Sequence, residues 1–146
     1  MLRGNFPAKV DEKFRLRLPA IFRRQLPETT DNTYFVTSID GECAKIYPIP
    51  VWERIERKIM EAPQMDPAIE KLTRNYDYYG HDSEMDPQGR ILIPQKLREK
   101  ARLFGDVLVM GKKDHLEVWN EQKVDKAVDE DPLTFENRKR LAELGI

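Results

Sequence analysis

Residues 11–23 read Asp-Glu-Lys-Phe-Arg-Leu-Arg-Leu-Pro-Ala-Ile-Phe-Arg, and residues 86–98 read Asp-Pro-Gln-Gly-Arg-Ile-Leu-Ile-Pro-Gln-Lys-Leu-Arg. Asp11 matches Asp86, Arg15 matches Arg90, Pro19 matches Pro94 and Arg23 matches Arg98. Between these positions Leu16/Ile91, Leu18/Ile93 and Phe22/Leu97 keep apolar character at the same offset. An internal repeat governs the fold, because one unit presented twice sets both the core and the surface. A polar pair held at fixed spacing in both copies reads as one surface device used twice.

The correspondence continues beyond the motif. Phe35-Val36-Thr37-Ser38 lines up with Val107-Leu108-Val109-Met110, and Ala44-Lys45-Ile46-Tyr47 with Leu116-Glu117-Val118-Trp119. One gap absorbs a longer loop around Pro27 to Asn32 in the first copy. Each copy then reads as a short strand, a short helix opened by a proline, and two more strands. The boundaries that follow are 1–50 and 81–120 for the repeat units, 51–80 for a helical hairpin between them, and 121–146 for a final helix and tail.

Phe14, Leu16 and Leu18 alternate with Arg15 and Arg17, and Ile91 and Ile93 alternate with Arg90 and Leu92. A period of two predicts half-buried strands, with the arginines on the face opposite the buried leucines and isoleucines. Pro19 and Pro94 suit the first turn of a helix, where a missing N–H is no loss. Phe22/Leu26 and Leu97/Ala101, at i and i+4, are expected to pack inward. In the middle segment Trp52, Ile55 and Ile59 stripe one helix over Val51 to Glu61. Asp66 and Pro67 open a second, striped by Ile69, Leu72, Tyr76 and Tyr79. Glu121 to Asp129 predicts a last helix ended by Asp131-Pro132, and Leu133 to Ile146 a tail that is mobile or docked on a partner.

The 146 residues suit one domain or two small units sharing a core. No apolar run approaches a membrane span, and Met1-Leu2-Arg3-Gly4-Asn5 does not resemble a signal peptide. The single cysteine, Cys43, excludes an internal disulfide and predicts a reducing cytoplasm. Net charge is only -1, but residues 1–25 carry seven basic side chains against two acidic ones. Residues 121–146 carry seven acidic against five basic. A local basic face can bind phosphate while the total stays near neutral, so the asymmetry favours an anionic partner at the first unit.

The two Asp-x-x-x-Arg motifs, each followed by an apolar-rich strand and a proline, resemble the MraZ family of bacterial transcriptional regulators. So do Leu2-Arg3-Gly4-Asn5, Tyr47-Pro48-Ile49-Pro50-Val51-Trp52 and Leu141-Ala142-Glu143-Leu144-Gly145-Ile146. The resemblance spans nearly the whole chain. It implies a mainly β fold with α (α+β): two tandem AbrB-like swapped-hairpin units forming a small β-barrel with packed helices. It further implies a homo-oligomeric ring, associated with the nucleoid, that binds double-stranded DNA. Its targets would be short direct repeats upstream of the division and cell-wall gene cluster. Carried over by position, Arg15 and Arg90 would read DNA; beside the resemblance, the charges of Lys13, Arg17 and Arg3 are expected to add phosphate contacts that position without reading sequence. Asp11, Asp86 and Gly89 would support the motifs. One departure stands out, because the family usually has Gly before the first motif arginine and this chain has Phe14. A bulky side chain resists φ > 0, so the first turn is expected to be reshaped or strained.

Other readings remain at this stage. Without the family, Arg15 and Arg90 serve equally well as structural bridges, and Lys13 and Arg17 as a solvated strand face. The acidic tail from Asp125 suits a protein-interaction module of the antitoxin type. A hydrolase would need a nucleophile with a base, a glycine-rich phosphate loop or a ligand cluster, and none is present. Trp52 and Trp119 read as packing residues, His81 and His115 stand in unrelated contexts, and Cys43 has only Lys45 as a basic neighbour. No enzyme activity, metal, cofactor, small-molecule substrate or membrane partner is expected.

Overall fold

The two copies of the repeat interleave their strands in one antiparallel sheet. A computed structural model describes residues 1–27 and 31–146, so the loop around Pro27 to Asn32 lies partly outside the described residues. The first copy supplies β1 (Asn5–Val10), β2 (Arg15–Arg17), α1 (Ala20–Gln25), β3 (Thr33–Thr37) and β4 (Ala44–Pro48). Helices α2 (Ile49–Glu61) and α3 (Pro67–Tyr79) follow. The second copy supplies β5 (His81–Glu84), β6 (Arg90–Leu92), α4 (Gln95–Ala101), β7 (Gly105–Gly111) and β8 (Leu116–Asn120), before α5 (Glu121–Glu130) and α6 (Phe135–Glu143).

The strand order β5-β3-β4-β8-β7-β1-β2-β6 shows the interlock. Equivalent strands pair across the repeats: β2 with β6, and β4 with β8. The leading strand of each copy instead crosses to the other, β1 onto β7 and β5 onto β3. The two edge strands approach one another where the Ser83 hydroxyl donates to the Leu92 carbonyl at 3.0 Å. The sheet is thereby a nearly closed barrel, as expected of tandem swapped-hairpin units.

Alternation puts Val10, Leu16, Leu18, Ile91, Ile93, Val107 and Val109 inside, joined by Phe22 and Leu97 from the short helices. Leu26 and Ala101 also pack inward, as their i, i+4 spacing predicts. A second cluster lies under α2 and α3, where Trp52 stacks on Phe35 with centroids 4.4 Å apart and meets Tyr76 edge to face. The Asp66 side chain caps α3 by accepting from the Ala68 N–H at 2.9 Å.

Several details differ from the sequence reading. Pro19 and Pro94 sit at the N-cap, in extended conformation, one position before the helices they open. Helix α2 begins at Ile49, because Pro50 is tolerated within the first turn. Each unit has an extra leading strand; its signal in the first copy is the inward alternation of Phe6, Ala8 and Val10. The tail contains α6, started by a reciprocal cap in which Thr134 accepts from the Asn137 N–H and Asn137 from the Thr134 N–H.

Leu16 and Ile91 are fully buried and directly opposite one another on the β2–β6 ladder. Leu16→Ala and Ile91→Ala should each lower stability by about 3 kcal/mol, as cavity-forming core truncations do. Because they share one cavity, the double variant should fall short of the sum. Chemical denaturation of the three proteins checks this.

Candidate nucleic-acid interface

Both motifs fold into the same hairpin turn. Four residues, Asp11 to Phe14 and Asp86 to Gly89, close when the Phe14 and Gly89 N–H groups donate to the Asp11 and Asp86 carbonyls, at 3.0 and 2.9 Å. The Asp11 and Asp86 N–H groups donate to the Arg15 and Arg90 carbonyls, each at 2.9 Å. Aspartate suits the first position of such a turn, and in the second copy proline and glycine take the second and fourth.

The aspartate side chain does two jobs at once. Asp11 Oδ1 accepts from the Lys13 and Arg15 backbone N–H groups, both at 2.9 Å, and Oδ2 accepts from Arg15 Nε at 3.1 Å. Asp86 repeats this with Gln88, Arg90 and Arg90 Nε, the last at 2.7 Å. These bonds hold both carboxyls below the ordinary value of 3.8, first through the backbone N–H of Arg15 or Arg90 and against a smaller opposing desolvation. No hydrogen bond occupies the terminal guanidinium nitrogens of Arg15 or Arg90 among the described residues. Each arginine is thus oriented at its Nε and left with its outer donors free.

The register of β2 on β6 gathers the basic groups. Arg17 lies opposite Arg90, and Arg15 opposite Leu92, so all four side chains share the outer face of the ladder. Lys13 is exposed in the first turn, and Arg17 is exposed at the other end of β2. Lys9 precedes the buried Val10 on β1 and faces outward by alternation, where it lies 3.9 Å from Asp106. Arg3 is not part of this cluster. It sits at the far end of β1, roughly 20 Å away by strand rise, beside the bridge between Leu2 and Lys113.

Phe14 adopts φ 65°, close to the φ 78° of Gly89. Of the two expected outcomes, the turn is therefore kept and Phe14 carries the strain. Its ring is covered by Arg98, whose guanidinium lies 3.7 Å from the ring centroid. Phe14 remains 45% exposed, so that contact is worth about 1 kcal/mol, comparable with the roughly 1–2 kcal/mol of left-handed strain. Sequence reasoning paired Arg98 with Arg23 but gave neither a role. Their shared offset from the motif arginines was the available signal.

Other polar groups are structural in their setting. Burial pushes the Glu117 carboxyl up, yet the Lys45 ammonium at 2.7 Å and the Trp119 indole N–H at 2.9 Å bring it below its usual range. Burial, aided by Glu117, pushes the Cys43 thiol up to about 12, which suppresses thiolate chemistry. His81 starts an edge strand, whereas His115 stacks on Tyr47 with Nδ1 2.8 Å from Asp114. Among the described residues no group of three or more His, Cys, Asp or Glu could hold a metal ion, and no helix is long and apolar enough to cross a membrane.

Residues 1–75 and 80–143 match the sequence profile of the family described as "MraZ protein, putative antitoxin-like". The chain belongs to the MraZ family. A protein named transcriptional regulator MraZ from Acidobacterium capsulatum is 46% identical over 146 residues, covering all of both chains. One of the same name from Koribacter versatilis is 42% identical over 147 residues, again covering both fully. A third, from Nitrosomonas europaea, is 38% identical over 129 residues, 88% of this chain and 87% of that one. Within this MraZ fold, the Asp–Arg turns flank, at opposite ends, the ladder where the two repeats join.

Two outcomes follow from the turn geometry. At position 14 alanine should be worse than glycine, reversing the usual order. Phe14→Gly relieves left-handed strain that Phe14→Ala retains, so glycine should be more stable by about 1 kcal/mol in denaturant titrations. The depressed Asp11 and Asp86 values also set a pH window. Their stabilisation is complete above the unfolded carboxylate value of 3.8 and is lost as pH falls through the lower folded values. Amide protection at Arg15 and Arg90 should therefore hold from neutral pH down to 3.8 and fall below it, as hydrogen exchange would show.

Proposed function

We propose that this chain is a sequence-specific DNA-binding transcriptional regulator whose β2–β6 ladder is the reading surface. The observation that carries this is the pair of aspartate-clamped arginines with free terminal donors on one two-stranded face. A two-stranded ribbon fits the major groove of B-DNA, and a guanidinium fork matches guanine O6 and N7 where a lysine does not. Arg15 and Arg90 are the base readers, while Lys13 and Arg17 contact phosphate and fix register. Arg3, remote from the ladder, meets backbone only if the duplex extends past the end of β1. Asp11 and Asp86 touch the arginines and not the DNA, since a carboxylate is repelled by phosphate.

The family resemblance supports the rest of the reading: a homo-oligomeric ring on short direct repeats upstream of the division and cell-wall gene cluster, in a cytoplasmic, nucleoid-associated protein that is not an enzyme. The unit boundaries at 50, 80 and 120 belong to this proposal. A ring repeats two clamped arginines at fixed intervals, so modest contacts add through effective concentration. The relatives named transcriptional regulators fit this reading. A second reading, an antitoxin-like interaction module, is favoured by α6 and its flanks, where Leu133, Phe135, Leu144 and Ile146 are exposed.

The test is a titration onto labelled duplex from upstream of the chain's own gene, with a scrambled duplex and a salt series. Arg15→Ala or Arg90→Ala should each weaken native-site binding at least tenfold, as loss of a bidentate base contact does. Arg17→Ala should weaken both duplexes alike and lower the salt slope by about one. Equal, weak binding to both duplexes by the unaltered protein would overturn the reading and leave the interaction module.

A further inference from the structure

The helices that follow the motif strands lie crosswise over the turns. Arg23, in α1 of the first repeat, reaches over the Gly89 turn of the second, where its Nη1 donates to the Gln88 carbonyl at 3.3 Å. A Cβ at Gly89 would run into the Arg23 side chain, so the glycine and the arginine occupy one another's space. The Leu18 N–H adds a bond to the Gly89 carbonyl at 2.9 Å, tying the end of β2 to the same turn. Arg98, in α4 of the second repeat, covers the Phe14 turn of the first, with its Nε donating to the Ile93 carbonyl at 2.9 Å. Arg98 is only 7% exposed, and no carboxylate lies within ion-pair distance of it among the described residues. Burial is costly for a cation that has only the neighbouring Glu99 charge at longer range, and here the aromatic face of Phe14 also meets it.

We infer that Arg23 and Arg98 are positioning residues acting between repeats: Arg98 sets the aim of Arg15 through the Phe14 turn, and Arg23 that of Arg90 through the Gly89 turn. Residues 14 and 89 immediately precede the clamped arginines, so a turn that rocks carries its arginine with it. Neither Arg23 nor Arg98 lies on the ladder face that carries Arg15, Arg17 and Arg90. The meaning for DNA rests on the reading proposed above, whereas the crosswise coupling stands on the free protein's geometry.

The experiment is hydrogen exchange by mass spectrometry on the full-length protein, comparing peptides covering Asp11–Arg17 and Asp86–Leu92. Arg98→Ala should speed exchange in the first peptide about tenfold and leave the second unchanged; Arg23→Ala should do the converse. Phe14→Leu, which keeps bulk but removes the aromatic face, should reproduce Arg98→Ala and covers the case in which that variant does not fold. Acceleration in the peptide of the substituted residue's own repeat, in both peptides alike, or in neither would overturn the inference. Exchange across β7 reports whether the fold is intact. On DNA, Arg98→Ala should reduce discrimination between native and scrambled duplexes at an unchanged salt slope. A slope lower by about 0.9 would mean that Arg98 itself contacts phosphate, and would overturn the positioning role. If the unaltered protein binds no duplex, the exchange result still decides the coupling, and only the DNA-binding reading fails.

Discussion

The structure turns on a single carboxylate used from both ends. One aspartate oxygen gathers two backbone N–H groups of its own turn, and the other holds the Nε of the arginine four residues on. A glutamate would carry its oxygens one methylene too far to cap the turn and reach Nε together. A lysine in place of the arginine would have to clamp and reach outward through one ammonium nitrogen, with no separate planar fork to present. The Asp-x-x-x-Arg spacing is therefore a length requirement: four residues bring the chain back beside its starting point, with the arginine at the head of a strand. Because the clamp works mostly through backbone groups, it is local and can be copied whole into a second hairpin.

The second constraint is the pairing of the copies. Leu16 opposite Ile91 puts the most deeply buried positions of the two motifs in one layer, which forces Arg17 and Arg90 opposite each other on the outer face. A shift of one residue would bury the arginines and expose the leucines, so the core fixes the register of the basic face. The leading strands crossing to the other repeat, β1 to β7 and β5 to β3, then prevent the ladder from sliding. Charge is concentrated by the same requirement that excludes water from the other side of the sheet.

Much of this was legible in the chain. The repeat, the motif strands, the inward helix positions and the Asp66 cap are written in residue types at short spacing, where local chemistry decides the outcome. What the chain did not display is pairing. Reading Asp11 and Asp86 on separate units gave no reason to place β2 on β6, since strand partners are chosen by long-range packing. The roles of Arg23 and Arg98 were hidden for the same reason: each serves a turn some 65 or more residues away in sequence, as the contact from Arg23 to Gln88 shows. The α6 helix was missed because its stripe is short and faces outward, leaving only the Thr134 and Asn137 cap as a signal.

The two copies meet one backbone demand by different means. Both turns require a left-handed residue before the arginine, and the second supplies glycine, which adopts φ > 0 without strain. The first supplies Phe14, whose strain would ordinarily open the turn or flatten it. It does neither, because the ring lies under the Arg98 guanidinium, which forms no direct ion pair among the described residues. Removing either partner leaves the other in a worse state than before: a strained aromatic without cover, or a buried cation without a facing charge distribution. The Nε clamp is kept in both copies, at 2.7 Å after glycine and 3.1 Å after Phe14. Divergence at one turn has thus been absorbed by the helix of the opposite repeat, which is how an interlocked barrel keeps two unequal hairpins aimed at one face.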